Sequence, residues 1–313
     1  MSNSRAGWSE EQVIDLLAQI FATSDPRLEI AIGDDAALVR GEGQQILTTD
    51  LAVNGVHFRT DWSSGYEIGR RVAAANIADV LAMNGECDYL LVAATLTGSE
   101  SLEWIGDLGK GIADQAREAG AIVVGGDLAR SSTLAIAITA VGHTDHAIKR
   151  SGAIVGDFIY LSSLTGWSAA GLAILSKGIT SESPSAKKAV REYKAPTLDR
   201  EIDFSRATSL SDVSDAVMIQ GAQMAKASGV RFEIDTTLIE GDSEFSELKK
   251  LADEMGSDPW SWILHGGEDH ALLATGRDLP GLAIGRVVAG EGIVAINRDG
   301  EMKMAPVSWS HFA

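Results

Sequence analysis

Carboxylates recur at the ends of apolar segments in this chain: Asp34 and Asp35 in "IGDDAA", Asp50 in "LTTDLAVNGVHF", Asp127 in "VVGGDLARS", Asp212 and Asp215 in "SLSDVSDAV". Asp79 is placed differently. Steps of three and four residues set it on one helical stripe with Val72, Asn76 and Met83. If that stripe faces a core, a carboxylate stands where it is costly to desolvate unless paired or bound to a cation. Together with the hydroxyls of Thr48 and Thr49, and without a histidine or thiolate cluster, these are hard oxygen donors. Such a set suits Mg²⁺, which keeps several waters and bridges one or two protein carboxylates to substrate phosphates. Gly125, Gly126, Gly266 and Gly267 stand beside carboxylates and let backbone amides approach phosphate oxygens. Each element also has an ordinary reading: a solvated turn for Asp34 and Asp35, a strand end for Asp50, a helix N-cap for Ser211 or Asp212, a Gly-Gly turn for Asp127.

Charge and composition narrow the partners. Asp and Glu total 44 against 26 Lys and Arg, a formal net charge of −18, and that field repels nucleic acid and anionic membranes. A phosphate ligand therefore needs metal cations to mediate. Cys87 is the single cysteine, so an internal disulfide and a thiolate zinc cluster are excluded and a reducing setting is expected. The N-terminal stretch lacks the apolar segment of a signal peptide, and no run of about 18 apolar residues occurs, so the expectation is a soluble cytoplasmic protein. There is no GxxxxGK[ST] loop and no HRD…DFG set. "GEGQQI" lacks the last glycine of a dinucleotide fingerprint and precedes a strand.

The elements that must position these residues mix helices with short strands. Ser9 and Gln12 form a capping box before Val13, Leu16, Leu17 and Ile20, which predicts an amphipathic first helix. "AALVR" and "QQILTTD" read as strands joined by a tight turn at "GEG"; "YEIGRRVAAANIADVLAMNG" and "SLEWIGDLGKGIADQAREAG" read as helices ending in glycine; "YLLVAATLT", "AIVVGG" and "LAIAITAVG" read as strands. After the polar passage "HTDHAIKRSGAIVGD" the mixture repeats. It runs through a strand "FIYLSS", a helix "GWSAAGLAILSKG", a loop at "TSESPSAKK", a helix over 214–228, and strands "VRFEID", "HALLAT", "LAIGRVV" and "GIVAIN". With 313 residues, two domains are expected, 1–146 and 147–313, both α/β, the first built on a mixed sheet.

The ordered set "IGDDAALV", "TTDLAVNGVHF", "AAANIADVLAMNG", "GGDLARS", "RSGAIVGDFIYLSSLTGWSAAGLAIL", "SDVSDAV" and "GGEDHALLAT", closed by "WSHF", resembles the thiamine-monophosphate kinase family over essentially the whole chain. The resemblance implies a two-domain α/β fold (α+β) and a homodimer whose N-terminal sheets pair across the interface. ATP and several Mg²⁺ ions would be bound there, and thiamine phosphate would be converted to thiamine diphosphate. It places metal ligands at Asp35, Thr48, Thr49, Asp50, Asp79, Asp127, Asp212 and Asp215, of which Asp50, Asp127 and Asp215 are the catalytic core. It places ATP contacts at Gly126, Arg150 and Ser214, and thiamine phosphate contacts at His57, Glu268 and Trp309.

Three positions depart from the family pattern. Ala216 replaces the glycine of "SDGL" and lacks its freedom at positive φ. His270 and Ala271 replace a Tyr-Glu pair. The family's aromatic near the adenine falls at Gly109 or a neighbour. Two other functions fit the same residues: a different ATP-dependent synthetase of the superfamily, and a noncatalytic Mg-nucleotide binding protein.

Overall fold

The computed structural model describes residues 8–32 and 36–302. These fall into two compact units, one running through Leu81 and then Gly85–Ala147, the other formed by Ala82–Asn84 with the chain from Ile148 onward.

In the first unit the order is α1 (Glu10–Ile20), β1 (Leu28–Ile30), β2 (Leu38–Val39), β3 (Gln44–Val53), α2 (Gly65–Leu81), β4 (Glu86–Leu96), α3 (Leu102–Glu118), β5 (Ile122–Arg130) and β6 (Ala135–Thr144). The reciprocal Ser9–Gln12 capping box starts α1, as its spacing predicts. A four-stranded sheet runs β3-β6-β4-β5; β6 pairs antiparallel with both neighbours, and β4 pairs parallel with β5. Alternation along β6 buries Ile136, Ile138 and Ala140 under the layer of α2 and α3. On the opposite face Leu47 and Leu51 are 70% and 58% exposed. The expected β2–β3 hairpin does not form: β2 pairs with β1 as a separate ribbon, and "GEG" links two sheets.

The second unit contains β7 (Phe158–Leu161), α4 (Trp167–Ser176), α5 (Pro184–Lys194), β8 (Ser209–Asp212), α6 (Val217–Ser228), β9 (Arg231–Asp235), α7 (Thr236–Ile239), α8 (Ser243–Met255), α9 (Pro259–His265), β10 (Leu272–Gly276), β11 (Leu282–Val288), β12 (Gly292–Asn297) and β13 (Gly300–Glu301). Its seven-stranded sheet, β13-β12-β9-β11-β7-β10-β8, is antiparallel except for β9–β12. Ile159, Phe232, Leu273 and Ile284 of the strands form one core with Val217, Met224, Leu248 and Ile263 of the helices. The predicted loop at "TSESPSAKK" is corrected. Ser183 caps Ala186 N–H and Pro184 occupies the first helical turn, so most of that stretch opens α5.

No helix of the described residues is long and apolar enough to cross a membrane.

Candidate functional site

In the first unit, period-two alternation decides which β3 side chains meet α2. Thr48 Oγ1 donates to Asp79 Oδ2 at 2.7 Å, and the Asp50 N–H donates to Asn76 Oδ1 at 3.0 Å. Asn76, only 2% exposed, also donates from Nδ2 to the Val72 carbonyl at 2.9 Å, so its orientation is fixed from both ends. The stripe predicted from the sequence is thus a real polar seam between α2 and β3. Thr49 points the other way: its hydroxyl donates to the Ile138 carbonyl at 3.0 Å and accepts from Thr139 at 3.2 Å. Its side chain does not join Thr48 and Asp79. Just beyond β3, His57 Nδ1 accepts the Val53 N–H at 3.1 Å, which leaves the neutral ring's proton on Nε2.

A cavity of about 300 Å³ lies in the same unit between α1, α3 and strands β4 and β5. Ile14, Leu17, Leu108 and Val92 make it apolar, and Phe21, Gly125, Gly126 and Asp127 also line it. Its size and apolar lining fit a planar heterocycle. Gly109 also lines it, and a Cβ there would lie 2.7 Å from Leu17 Cδ2. All the nearest atoms are side-chain ends of Leu17 and Ile20, so a larger residue at 109 requires Leu17 to shift.

The predicted metal ligands are not all brought together. Asp50, Ile138, Val92 and Gly126 share one row across the sheet, whereas Asp127 stands in the next row, opposite Ala93. Asp50 and Asp127 therefore occupy opposite edge strands, three strand spacings or about 14 Å apart, and alternate faces. Among the described residues no group of three or more His, Cys, Asp or Glu side chains is arranged to hold a metal ion. Asp35 and Trp309 lie outside the described residues.

In the second unit β8 delivers Asp212, 1% exposed, and the chain then turns through Ser214 and Asp215 into α6. Gln220, one turn into that helix and 1% exposed, organises the turn. Its Nε2 donates to Ser214 Oγ at 3.2 Å and to Asp215 Oδ2 at 3.1 Å, and its Oε1 accepts the Ala216 N–H at 2.8 Å. Ala216 has φ −177°, extended backbone open to any residue, so its replacement of glycine costs nothing there. Asp212 is a strand residue rather than a helix N-cap. Arg150, exposed, donates to Gln223 Oε1 at 2.9 Å.

The "GGEDH" segment packs against this turn. The Glu268 N–H donates to the Ser214 carbonyl at 2.7 Å and the His270 N–H to the Val213 carbonyl at 3.1 Å; Glu268 and His270 both hold positive φ, 66° and 53°. His270, 4% exposed, lies between two acids, with Nδ1 3.5 Å from Asp212 Oδ2 and Nε2 3.7 Å from Glu268 Oε2. Burial alone drives the imidazole pKa down, but Asp212 and Glu268 outweigh it and push it up to about 10. Asp212 Oδ2 is buried without a hydrogen bond, a hard oxygen suited to a cation. Asp269 instead caps α4, accepting from Gly166 N–H at 2.8 Å and Ser168 N–H at 2.9 Å, and burial raises its pKa to about 6 against those two donors. Sequence reasoning missed Gln220, Asp269 and the bridging place of His270. Only Gln220 carried a local signal, four residues past Ala216, the residue just before the helix.

Comparison with known proteins follows this geometry. Residues 33–144 match the family model for the AIR synthase related protein, N-terminal domain. Over 286 residues the chain is 33% identical to thiamine-monophosphate kinase of Mycobacterium tuberculosis (strain CDC 1551 / Oshkosh), covering 90% of this chain and 85% of that one. It is 30% identical to the enzyme of that name from Aquifex aeolicus (strain VF5), covering 90% and 92%. The solved structure of AaThiL complexed with AMPPCP and TMP superposes with TM-score 0.78 at 29% identity, over 97% of each chain.

Proposed function

This chain belongs to the thiamine-monophosphate kinase family, and we propose on that premise that it transfers the γ-phosphoryl group of ATP to thiamine phosphate, giving ADP and thiamine diphosphate. The observation that carries the reading is the base-sized apolar cavity of about 300 Å³, whose lining includes Gly126 and Asp127. Phe21 takes the part of the aromatic surface that Gly109 lacks.

The acceptor is a phosphate monoester whose second pKa is about 6, so its oxygen is already anionic near neutral pH and no strong base is required. The task is charge neutralisation and alignment. Mg²⁺, held by the carboxylates named next, would supply that neutralisation. In this reading Asp50, Asp79 and Asp127 in the first unit, with Asp35 and the Thr48 hydroxyl, hold metal, as do Asp212 and Asp215 in the second. Thr49 takes part only through its backbone. The Arg150 guanidinium and Ser214 contact ATP phosphates, the former by a two-pronged hydrogen bond. His57, with its proton on Nε2, donates to the acceptor phosphate. Glu268 and Trp309 face the cationic thiazolium, an aromatic face being suited to a cation.

Two observations support a homodimer. The exposed Leu47 and Leu51 face calls for a covering partner, and the Asp50–Asp127 separation is too wide for one ion. The first unit is assigned nucleotide binding and dimerisation, the second the remaining phosphate and substrate contacts, in a cytoplasmic biosynthetic enzyme.

Purified protein incubated with ATP, Mg²⁺ and thiamine phosphate should form ADP and thiamine diphosphate in equal amounts. ATP consumption without thiamine diphosphate would point to a synthetase of the superfamily, and nucleotide binding without ADP to a noncatalytic protein.

A further inference from the structure

The turn between β8 and α6 is held in two ways. Its main chain is fixed by the glycine-rich segment: the Ser214 carbonyl accepts from the Glu268 N–H at 2.7 Å, and the Val213 carbonyl from the His270 N–H at 3.1 Å. Its side chains are fixed by Gln220. Among the described residues no other side chain hydrogen-bonds to the Ser214 hydroxyl or to the Asp215 carboxylate.

The wiring of that one amide is determined by its partners. The Ala216 N–H can only donate, so Gln220 Oε1 is the atom 2.8 Å from it, and the amide nitrogen then faces Ser214 Oγ at 3.2 Å and Asp215 Oδ2 at 3.1 Å. A turned amide would set its oxygen against the carboxylate. Gln220 is 1% exposed, so bulk water does not compete for these bonds.

The consequence is a set polarity. A hydroxyl has one proton and two lone pairs. Because Ser214 Oγ accepts from Gln220, its own proton is left to donate, which is what an anionic oxygen such as that of a phosphate requires. The second amide proton goes to Asp215 Oδ2 and fixes how that carboxylate is turned. Three residues further along the same side of α6, Gln223 Oε1 accepts from Arg150 Nη1 at 2.9 Å, so the helix meets both Ser214 and Arg150.

We propose that Gln220 is a positioning residue for nucleotide binding: it turns the Ser214 hydroxyl to donate to a phosphate oxygen and orients the Asp215 carboxylate beside it. The proposal rests on the kinase reading, which assigns Ser214 to ATP and Asp215 to metal. Gln220 touches neither ligand in this scheme; it acts through these two side chains.

The test compares full-length Gln220→Met, Gln220→Glu, Ser214→Ala and the Gln220→Met, Ser214→Ala double variant. Calorimetric binding of a non-hydrolysable ATP analogue with Mg²⁺ is measured, together with KM for ATP, kcat and melting temperature. Methionine keeps the length and removes all three bonds. Glutamate keeps the acceptor for the Ala216 N–H and removes only the two donors, so it serves should the methionine variant fail to fold. Removing the outer partner of a ligating group weakens affinity by about 10- to 100-fold. Gln220→Met and Gln220→Glu should each weaken the analogue by that factor and raise KM for ATP, with kcat at saturation closer to wild type. In the double variant Gln220→Met should add less than it does alone, because residues that act through one another are not additive. With a merely structural role, Gln220→Glu would bind as wild type, or the methionine and alanine effects would simply multiply; either result overturns the proposal. If Ser214→Ala itself binds as wild type, the assignment of Ser214 to ATP falls, whereas if Ser214→Ala alone loses binding, only the positioning role falls.

Discussion

The adjacent glycines of "VVGGD" make different demands, and exchanging each for alanine separates them. A Cβ on Gly126 would sit 1.8 Å from the Val92 carbonyl oxygen and 2.7 Å from its carbon, both backbone of the paired strand β4. Since real Cβ contacts essentially never fall below 3.0 Å, β5 must draw away from β4 at the residue before Asp127. A Cβ on Gly125 meets only Leu91 Cδ2, at 3.3 Å, the far end of a side chain that can rotate. Overpacking without a yielding partner costs about 1–3 kcal/mol or more. A displacement of about 1 Å beside a reacting group lowers turnover by about 100-fold. Gly126→Ala should therefore melt earlier and lose most ADP formation in a coupled assay. Gly125→Ala should stay within about 0.5 kcal/mol of wild type and keep its activity. If the two alanines behave alike, or Gly126→Ala keeps wild-type melting and rate, the backbone-contact argument is wrong.

Three further outcomes are expected. Asp50→Asn and Asp127→Asn should nearly abolish turnover with circular dichroism unchanged; normal ADP formation by either would remove the metal assignment. Gly267→Ala places a Cβ 2.4 Å from the Asp215 carbonyl oxygen and 2.5 Å from that of Ser214, so kcat should fall by about 10- to 100-fold, and stopped-flow single turnovers would show whether the loss is in the chemical step. His143 has its pKa raised, first by the hydrogen bond to Asp88, against partial burial, with Glu86 and Glu42 adding. A histidine raised above its unfolded value of about 6.5 stabilises fully below that pH and loses the effect as pH rises through the folded pKa. Urea midpoints should thus decline from pH 6 to pH 9 more steeply in wild type than in His143→Gln, and equal slopes would rule this out.

What the sequence revealed was local chemistry; what it concealed was register. The capping box at Ser9 and the stripe of Asn76 and Asp79 were legible because helical periodicity alone brings those groups together. β8 was not, because Ser209–Asp212 is polar yet wholly buried: Ser209 Oγ lies 2.7 Å from Thr275 Oγ1 on the neighbouring strand, a partner 66 residues away. α5 hid for a related reason, burying Ala186, Ala189 and Tyr193 rather than a run of large aliphatic side chains. The acidic residues were picked out by type. The opposed faces of Thr48 and Thr49 follow from the alternation of the strand "QQILTTD", but spacing could not tell that Asp127 would lie three strands from Asp50.

The carboxylates follow a common pattern that bears on how a strongly acidic chain tolerates them. Asp79 is met by the Thr48 hydroxyl, Asp215 by the Gln220 amide, and Asp212 by the His270 ring. Thr48 and Gln220 are neutral donors to a single oxygen; each orients its carboxylate without adding a charge. Asp212 differs in its surroundings, because it is almost wholly buried and water cannot screen it. There the neighbour is a charged imidazolium, which also faces Glu268. An uncharged ring could donate to only one of the two acids and would turn a lone pair toward the other. One buried cation thus reconciles two carboxylates that would otherwise repel, and it ties the Asp212 strand end to the glycine-rich segment that carries Glu268.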